Sequence, residues 1–519
     1  MTAAVWPPAE TAPVTVVGAG LVGAVTAMYL ARRYGRVDLV ESRSHPRATP
    51  RKSGRSVNIV LSARGWSVLR DLGLEDQVRR ICMPLRGRLI HAPDRPPEFQ
   101  PYGRHGQRIW CVERPVLQSM LVAAAEETPG VTVYHDVAVQ SVSLDPPALV
   151  TQSQGHTETV PCTLVVGCDG ASSKVRAAME AEGAQVHAGL LDLGYKEIAI
   201  PAEADGAWRF DPTAFHVWPL PGGFLSVFPN PEGHCTGSLF LPLHSGSGDG
   251  GGWTFDALTD LRAARTLIDG HLPEEVASIP RLAQQCVERR AGRIATVDCD
   301  RWTHGNTAVL VGDAAHAMAP FLGQGMNCGF QDARVLDRCL EQEPDLAAAL
   351  ASYQRIRKAE ADAVTEASLE QHHRFSAEPP RATAAATRKT RVEERLYTEL
   401  PDMFVPFYER LAFTEESYAE AQRRQHRVDR LVSLLTDDVG SDVLLELPAD
   451  AFAAHVSHVW ETTKVSGEDD RNVRDSVQVQ ADGGSRRGFR GIRRPDAGAR
   501  QIDTWIRIHR HEELHVRDR

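Results

Sequence analysis

The chain has 519 residues, with 42% hydrophobic and 24% charged side chains and a formal net charge of −10. This composition predicts a soluble globular protein of two or three domains, and the negative charge argues against nucleic-acid binding. Nine scattered cysteines without a C-x-x-C pair favour reduced thiols in the cytoplasm over a disulfide scaffold or a zinc site, and no apolar run predicts a transmembrane segment.

The first motif lies in VTVVGAGLVGAVTAMYLARRYGRVDLVESR, residues 14–43. A short β-branched strand precedes Gly18, Gly20 and Gly23, which form G-x-G-x-x-G at the start of a predicted helix. Such glycines let the backbone approach a pyrophosphate at the helix N-terminus. Glu41 ends a second predicted strand, about 20 residues further on, where an acidic residue binds a ribose hydroxyl in dinucleotide sites. The segment therefore predicts a dinucleotide site.

Two later segments repeat the strand-then-turn plan: TLVVGCDGASSKVR (163–176) and AVLVGDAAHAMAP (308–320). Each places an acidic residue, Asp169 or Asp313, just past a predicted strand. Open α/β sheets bind ligands at the carboxyl ends of their strands. The three turns together therefore predict one ligand site at one edge of a sheet.

The remaining chain contains three segments with different sequence patterns. Residues 186–245 contain alternating apolar runs broken by Pro and Gly, which predict antiparallel strands of a separate sheet. Residues 330–436 are helical by periodicity. From about residue 438 the pattern decays, and the Arg- and Gly-rich end predicts a poorly ordered tail.

The motifs carry a family resemblance. GAGLVG, GCDG and GDAAHAMAPFLGQGMN together resemble the class A flavoprotein monooxygenases of the para-hydroxybenzoate hydroxylase type. A narrower resemblance, to the soluble bacterial form of the kynurenine 3-monooxygenase family, is carried by GRSVNIVLSARGWSVLRDLGLEDQV, PLRGRLIH, PYG, GYKE, FHVWP and FVPFYERLAF. It covers roughly residues 14–430.

The resemblance implies an α/β fold in which a Rossmann-like FAD-binding domain is interleaved with an antiparallel β-sheet substrate domain and followed by a C-terminal helical region. We expect the FAD-binding domain at 12–80, 104–183 and 293–345, the substrate sheet at 81–103 and 184–292, the helical domain at 346–437, and a poorly ordered tail at 438–519.

The resemblance also implies FAD as cofactor, NADPH or NADH as a transient reductant, and O₂ as co-substrate. Asp313 would hold a ribityl hydroxyl of FAD, and the backbone N–H groups of Met326 and Asn327, in the helix that starts at Gly325, would face the flavin pyrimidine edge. Further FAD contacts are expected at Gly18, Gly20, Val22, Gly23, Glu41, Arg43, Arg55, Val60, Arg114, Val139 and Asp169.

For the substrate, a small aromatic amino acid, the resemblance implies a carboxylate-binding pair, Arg86 and Tyr102, and a third contact from Tyr408. Arginine suits a carboxylate because its fork donates two parallel hydrogen bonds. The family's substrate-binding asparagine is replaced here by Gln371 or His372, within EQHHRFSAE. No catalytic nucleophile and no metal ligand are expected, because the cofactor carries the oxygen chemistry.

That altered segment leaves two alternatives open. The same flavin chemistry could act on a related tryptophan-derived indole or anthranilate in secondary metabolism. The protein could instead be a non-catalytic flavin-binding redox module, which would need a broken flavin or substrate pocket. The oligomeric state cannot be read from the sequence.

Overall fold

The computed structural model describes residues 12–46, 57–93, 95–244, 252–376 and 384–465. The strands are β1 Val14–Val17, β2 Val37–Val40, β3 Asn58–Leu61, β4 Met83–Leu85, β5 Gly87–Ile90, β6 Glu98–Pro101, β7 Ile109–Glu113, β8 Val131–Tyr134, β9 Ala138–Leu144, β10 Pro147–Ser153, β11 His156–Pro161, β12 Leu164–Gly167, β13 Val186–Ile200, β14 Ala214–Leu220, β15 Gly223–Pro229, β16 Cys235–Leu241, β17 Gly292–Cys299, β18 Thr303–His304 and β19 Ala308–Leu310.

The helices are α1 Leu21–Tyr34, α2 Ala63–Asp71, α3 Glu75–Arg79, α4 Arg114–Glu127, α5 Lys174–Ala181, α6 Leu261–His271, α7 Glu274–Ala277, α8 Leu282–Glu288, α9 Asp313–His316, α10 Gly325–Gln342, α11 Leu346–Ser376, α12 Ala384–Glu399, α13 Phe407–Phe413, α14 Tyr418–Asp438, α15 Ser441–Glu446 and α16 Ala449–Val465. Short 3₁₀ turns lie at Gly170–Ser172, Pro231–Gly233, Phe255–Ala257 and Pro320–Leu322.

A six-stranded sheet in the order β18-β19-β12-β1-β2-β8 forms the first layer. Every pairing between β19, β12, β1, β2 and β8 is parallel, and β18 runs antiparallel at one edge. The strands β1, β2, β12 and β19 are buried along their whole length, as their Val- and Leu-rich sequences predict for a parallel sheet covered on both faces. The turns after these strands therefore meet at one edge, which we call the carboxyl edge.

Helix α1 shows how local sequence fixes this layer. It begins at Leu21, directly after Gly20, and ends at Gly35, which adopts the left-handed conformation with φ 68°. Glycine is favoured there because it has no Cβ to clash. Arg32 and Arg33 lie in the last turn, where positive charge stabilises the helix dipole.

A seven-stranded sheet in the order β17-β13-β16-β15-β14-β5-β6 forms the second layer. It is antiparallel except for the parallel pair β14 and β5. One of its faces packs on α6, α7 and α8 through a buried core that includes Trp218, Leu225 and Leu267. The α/β fold class with a second, mainly antiparallel sheet is thereby confirmed, while the finer domain boundaries stay a prediction.

The chain divides into two compact units. The described residues up to 376, with Tyr408–Gln422, form the first. The second, from the described residues of 384–407 and 423–465, has its own core, in which Leu396, Phe404 and Phe452 are almost fully buried.

Two helices, α15 and α16, lie inside the range 438–519 for which the sequence predicts a poorly ordered tail. That prediction is wrong for residues 441–446 and 449–465, because Phe452 and Val456, one helical turn apart, are both fully buried. Residues 466–519 lie outside the described part of the chain. Within that part, no helix combines the length and hydropathy needed to cross a lipid bilayer.

Candidate functional site

The glycine turn after β1 is packed tightly on two sides and open on the third. A Cβ at Gly23 would lie 1.8 Å from the Gly18 carbonyl oxygen, and a Cβ at Gly18 would lie 2.7 Å from the Cys168 carbonyl oxygen. At Gly20 a Cβ would meet no described atom within 4 Å. The first motif therefore packs against the second motif. It leaves free space at Gly20, where a phosphate could approach the backbone.

Glu41 places an ionised carboxylate beside this turn. The backbone N–H of Ala19 donates to its Oε2 at 3.0 Å, and Arg43 Nε donates to Oε1 at 2.8 Å. Burial alone would raise the pKa of Glu41, but the hydrogen bonds from Arg43 and Ala19 outweigh it and lower the pKa. Glu41 is thus a charged acceptor where the sequence predicts a ribose contact.

Helix α4 brings a residue to this turn that the sequence analysis missed. Gln118 donates to the Ala19 carbonyl oxygen at 3.1 Å. Arg114 lies one turn earlier, exposed at the start of the helix. Val139 lies on β9, two residues beyond Val137, whose N–H donates to the Glu41 carbonyl oxygen at 3.0 Å. Arg55, another predicted contact, lies outside the described residues.

The second motif leaves a buried oxygen without a partner. The Lys174 N–H donates to Asp169 Oδ2 at 2.6 Å, whereas Oδ1 is buried and accepts no hydrogen bond from the described residues. Burial raises the pKa of Asp169. Such an orphaned acceptor costs free energy unless a ligand or water donates to it.

The third motif meets the first through Val22. A Cβ at Gly312 would lie 3.1 Å from Val22 Cγ1, and a Cβ at Gly329 would lie 2.6 Å from Val22 Cγ2. Gly312 has φ 65° and ψ −141°, a conformation that favours glycine. Asp313 follows, exposed and without a hydrogen-bond or ion-pair partner in the described chain. Glu41, Asp169 and Asp313 therefore all lie at the carboxyl edge, and this edge fits a polar dinucleotide such as FAD.

Gly325, Met326 and Asn327 form the first turn of α10. Its first intrahelical hydrogen bond runs from Cys328 to the Gln324 carbonyl oxygen, so the backbone N–H groups of the preceding residues have no intrahelical partner. An 18-residue helix concentrates positive potential at this end, which suits a negatively charged ring system.

The Asn327 side chain holds this turn in position. Its Nδ2 donates to the carbonyl oxygens of Val60 and Gly323, both at 2.9 Å, and its Oδ1 accepts from the Ser62 N–H at 3.1 Å. A Cβ at Gly323 would lie 2.5 Å from Val60 Cγ2. Val60 therefore packs on the turn that precedes α10, and only the backbone of Asn327 is available to a ligand.

A buried ionic network behind the third motif was also missed. Asp332 accepts from His316 Nε2 at 2.5 Å, from Arg357 Nε at 2.7 Å and from the Gly312 N–H at 3.1 Å. Burial alone would raise the pKa of Asp332, but the charges of His316 and Arg357 lower it to about 2. The network ties α9, α10 and α11 to the turn that presents Asp313. One sign of this network was available, because Asp332 is an acidic residue among the buried residues of α10.

On the substrate side, the structure brings Tyr102 and Tyr408 together. Their ring centroids are 5.5 Å apart, and both pack against the buried side chains of Leu85, Ile109, Cys111 and Ala412. Phe215 and Phe228 join the same group and stack at 4.2 Å. With Arg88, these two tyrosines and two phenylalanines are called the tyrosine cluster below.

Arg88 is a second candidate for the cation of this cluster, beside the predicted Arg86. Arg86 is exposed and donates to Thr213 Oγ1 at 3.2 Å. Burial raises the pKa of Tyr408 to about 12, and the nearby charge of Arg88 opposes that rise. Burial likewise raises the pKa of Tyr102 well above its usual value, with Arg88 again opposing it. Both tyrosines are therefore neutral hydrogen-bond donors.

The register is compatible with Arg88 facing the cluster, but it does not separate Arg88 from Arg86, whose carbonyl oxygen accepts from the Tyr102 N–H at 3.0 Å. Arg88 pairs with Phe215 on the parallel strand β14 and with Gln100 on the antiparallel strand β6. Side chains of paired residues point to the same face of a sheet, and Arg88 Nε donates to Gln100 Oε1 at 2.6 Å. Arg88 thus shares its face with Phe215, a cluster member.

Gln371 lies on α11, one turn beyond Ser368, whose hydroxyl donates to the Ala319 carbonyl oxygen. His372 follows it on the same helix. Helix α11 also packs on the 3₁₀ turn Pro320–Leu322. These contacts place this part of α11 beside the third motif, and no described hydrogen bond joins Gln371 to the tyrosine cluster.

Comparison with known proteins agrees with this geometry. A family described as FAD binding domain matches residues 11–368. The kynurenine 3-monooxygenase of Salinispora tropica is 38% identical over 434 residues, covering 81% of this chain and 92% of the relative. The kynurenine 3-monooxygenase of Myxococcus xanthus is 35% identical over 455 residues, covering 86% and 95%.

Solved structures show the same fold at lower identity. A tetrameric 2-methyl-3-hydroxypyridine-5-carboxylic acid oxygenase has a TM-score of 0.58 and 22% identity, covering 73% of this chain and 96% of that one. PqsL of P. aeruginosa, in complex with 2-aminobenzoylacetate, has a TM-score of 0.55 and 20% identity, covering 70% and 98%. By its family match and its relatives, the chain belongs to the kynurenine 3-monooxygenase family of FAD-binding enzymes.

Proposed function

We propose that the protein is an FAD-dependent monooxygenase that converts L-kynurenine to 3-hydroxykynurenine with NADPH, or NADH, and O₂. The observation that carries the substrate is the tyrosine cluster, in which a guanidinium, two neutral phenols and a stacked pair of aromatic rings occupy one site. Kynurenine is a zwitterion with an aromatic amine, and it needs both a carboxylate partner and an apolar slot.

In this proposal FAD lies along the carboxyl edge, and when bound it supplies the redox chemistry that activates O₂. The glycine turn at Gly20 faces the pyrophosphate, Glu41 accepts from the adenosine ribose, and Asp313 accepts from a ribityl hydroxyl. The start of α10 stabilises negative charge on the isoalloxazine ring. Asp313→Ala should then lower flavin affinity by about 1–3 kcal/mol, the cost of a lost hydrogen bond to a charged group.

The protein's own part in the reaction is to bind, orient and exclude water. Arg88 pairs with the substrate carboxylate, and the hydroxyls of Tyr102 and Tyr408 donate to the same group. Phe215 and Phe228 hold the aniline ring in a fixed plane. This fixes which ring carbon faces the cofactor, and orientation of this kind is a large part of enzymatic rate enhancement.

The test is product analysis by mass spectrometry after incubation of the holoprotein with NADPH, O₂ and, separately, kynurenine, tryptophan and anthranilate. Hydroxylated kynurenine, with NADPH oxidation stimulated most by kynurenine, is the expected result. Preferential hydroxylation of the indole or of anthranilate would support the alternative substrate class. NADPH oxidation that no substrate stimulates, without any hydroxylated product, would contradict an aromatic hydroxylase.

A further inference from the structure

A second cluster of ligating side chains lies away from the tyrosine cluster. It joins His45, four residues after Glu41, to Glu126 in the last turn of α4 and His135 directly after β8. Strands β2 and β8 pair in parallel, with Val40 opposite Tyr134. His45 and His135 therefore follow neighbouring strands at the carboxyl edge, and α4 supplies the carboxylate between them.

The distances within this cluster suit a shared ion. His45 Nε2 and His135 Nε2 lie 3.2 Å and 3.1 Å from the same oxygen, Glu126 Oε1. The three ligand atoms all lie within 4.8 Å of one another. Tetrahedral zinc, with bonds of about 2.0–2.2 Å, spaces its ligands about 3.3–3.5 Å apart. The two histidine–carboxylate spacings already approach that value, and a rotation of the two imidazoles closes the third.

Accessibility also suits an ion that enters from solvent. The side chains of His45, Glu126 and His135 are 29%, 31% and 13% exposed. The protein would shield part of each ligand from solvent, and the ion would keep one open coordination position for water. Two imidazoles with one carboxylate favour a borderline transition metal over Mg²⁺ or Ca²⁺, which prefer oxygen ligands.

We propose that His45, Glu126 and His135 form a binding site for one divalent transition-metal ion, of the Zn²⁺ type. The site is not evident from the sequence, because the cysteines lack metal-ligand spacing and His45 lies 81 residues before Glu126.

Another group with suitable side chains, His316, Cys328 and Asp332, is a weaker candidate. Its carboxylate is already neutralised by Arg357, which also donates to Cys328 Sγ at 3.1 Å. Burial raises the pKa of Cys328 to about 12, so the thiolate needed for metal binding is scarce. Neither obstacle applies to the cluster of His45, Glu126 and His135.

Metal binding at the first cluster should be coupled to flavin binding. The segment that carries Glu41, Arg43 and His45 is already joined to the loop after β8, since the Asp136 N–H donates to the Arg43 carbonyl oxygen at 3.2 Å. An ion bridging His45 and His135 would fix this segment further and pre-organise the ribose contact. This coupling rests on the FAD placement proposed above, whereas the metal site does not.

The experiment is calorimetric titration of Zn²⁺ into the full-chain holoprotein, in wild type and in His45→Ala, His135→Ala and Glu126→Gln. Wild type should bind one Zn²⁺ that each variant loses. The affinity at this site should fall by more than about 100-fold, because even outer-shell partners of a metal change affinity by 10–100-fold. Glu126→Gln keeps the shape and the hydrogen-bonding capacity of the side chain, so it removes only the anionic ligand.

His304→Ala is the matched control. His304 Nε2 lies 3.0 Å from Asp145 Oδ2, and among the described residues this surface histidine–carboxylate pair belongs to no group of three possible metal ligands. The control should keep wild-type zinc stoichiometry and affinity. Equal zinc binding in wild type and all three ligand variants would overturn the site. The thermal midpoint of each zinc-free holoprotein separates lost ligands from lost folding: Zn²⁺ should raise it in wild type and the control only. If zinc binds as described but leaves flavin affinity unchanged, the coupling alone fails.

Discussion

The carboxyl edge and the tyrosine cluster reach their geometry by opposite means. At the carboxyl edge, glycine backbones approach one another closely, because a Cβ at Gly23 would lie 1.8 Å from the Gly18 carbonyl oxygen. In the tyrosine cluster, large side chains from β5, the loop after β6, β14, β15 and α13 fill a shared space. In the proposed function, glycine backbone and the carboxylates of Glu41 and Asp313 together hold the cofactor, whereas the substrate is held by side chains alone. Each of the following changes tests one side of that contrast.

The largest effect is expected from Gly23→Ala. The new methyl group would overlap the Gly18 carbonyl oxygen, a backbone atom that cannot rotate away. We expect a loss of about 5 kcal/mol or more in unfolding free energy, as for other severe backbone clashes, and little retained flavin. Urea unfolding of the flavin-free protein and flavin content measure both.

Gly20→Ala is its control, because no described atom lies within 4 Å of the added Cβ and φ is −71°. It should keep the stability of the flavin-free protein and weaken only flavin binding. Flavin-free Gly23→Ala as stable as wild type would contradict a turn built on backbone contact.

Next in size is Asp332→Asn, which probes the ionic network behind the carboxyl edge. The substitution leaves Arg357 buried without its counter-ion, at a cost of about 3–5 kcal/mol. Urea midpoints at neutral pH measure it. Flavin content should fall, because asparagine has one acceptor oxygen where Asp332 uses one for Gly312 and the other for Arg357.

The network also predicts a pH dependence. The folded-state pKa of Asp332 is lowered to about 2, so its stabilisation is complete above the unfolded value of about 3.9 and is lost as pH falls through 2. Wild type should therefore lose this contribution between about pH 4 and pH 2, and the variant should lack that part of the slope. Variant and wild type with parallel acid profiles would show that Asp332 is not ionised in the fold.

In the tyrosine cluster, Arg88→Ala should raise the KM for kynurenine by about 10- to 150-fold, the worth of roughly 1.5–3 kcal/mol for a hydrogen bond to a charged group. Flavin content should not change. Arg88→Lys should restore part of the loss, because an ammonium cannot form the bidentate fork.

Arg86→Ala is the matched change two residues away. Because the Arg86 side chain is exposed and donates to Thr213, it should alter KM by less than about threefold, a surface effect within 0.5 kcal/mol. A larger effect of Arg86→Ala than of Arg88→Ala would return the carboxylate contact to Arg86.

Among the proposed substrate contacts, the smaller effect is expected from Tyr408→Phe, which removes one hydroxyl and keeps the ring that packs on Tyr102. A neutral hydrogen bond contributes about 1 kcal/mol, so KM should rise about fivefold with stability nearly unchanged. Steady-state kinetics and thermal unfolding together test this, and a large loss of stability would mean that the hydroxyl has a structural partner.

The sequence predicted the carboxyl edge well because its motifs are local. In the second and third motifs, strand, turn and acid follow one another within about a dozen residues, and the Lys174 N–H that donates to Asp169 is only five residues away. PLRGRLIH, by contrast, offers two arginines in five residues, and the choice between them depends on Thr213 and Phe215 more than a hundred positions later. No local pattern encodes that pairing.

Two further features were missed for different reasons. The Asp332 network joins residues on three helices. Helical periodicity can show that Asp332 lies on a buried helix, but it cannot show which side chains neutralise its charge. Helix α16 was readable, since Phe452 and Val456 have the i, i+4 spacing of a buried face. The Arg-rich sequence after it masked that short signal.

Val22 has a consequence for moving this site between proteins. Its two methyl groups fill the space left by the bare Cα atoms of Gly312 and Gly329, so it sets the separation between the glycine turn after β1 and the turn at Gly312. Val22, Gly312 and Gly329 therefore share one space, and the effects of substitutions at these positions on stability should be non-additive. A first motif transplanted from a relative with a bulkier residue at this position would fail by itself, and one with alanine would open room for a side chain at Gly329. The three residues form one transferable part, although they lie almost 300 positions apart along the chain.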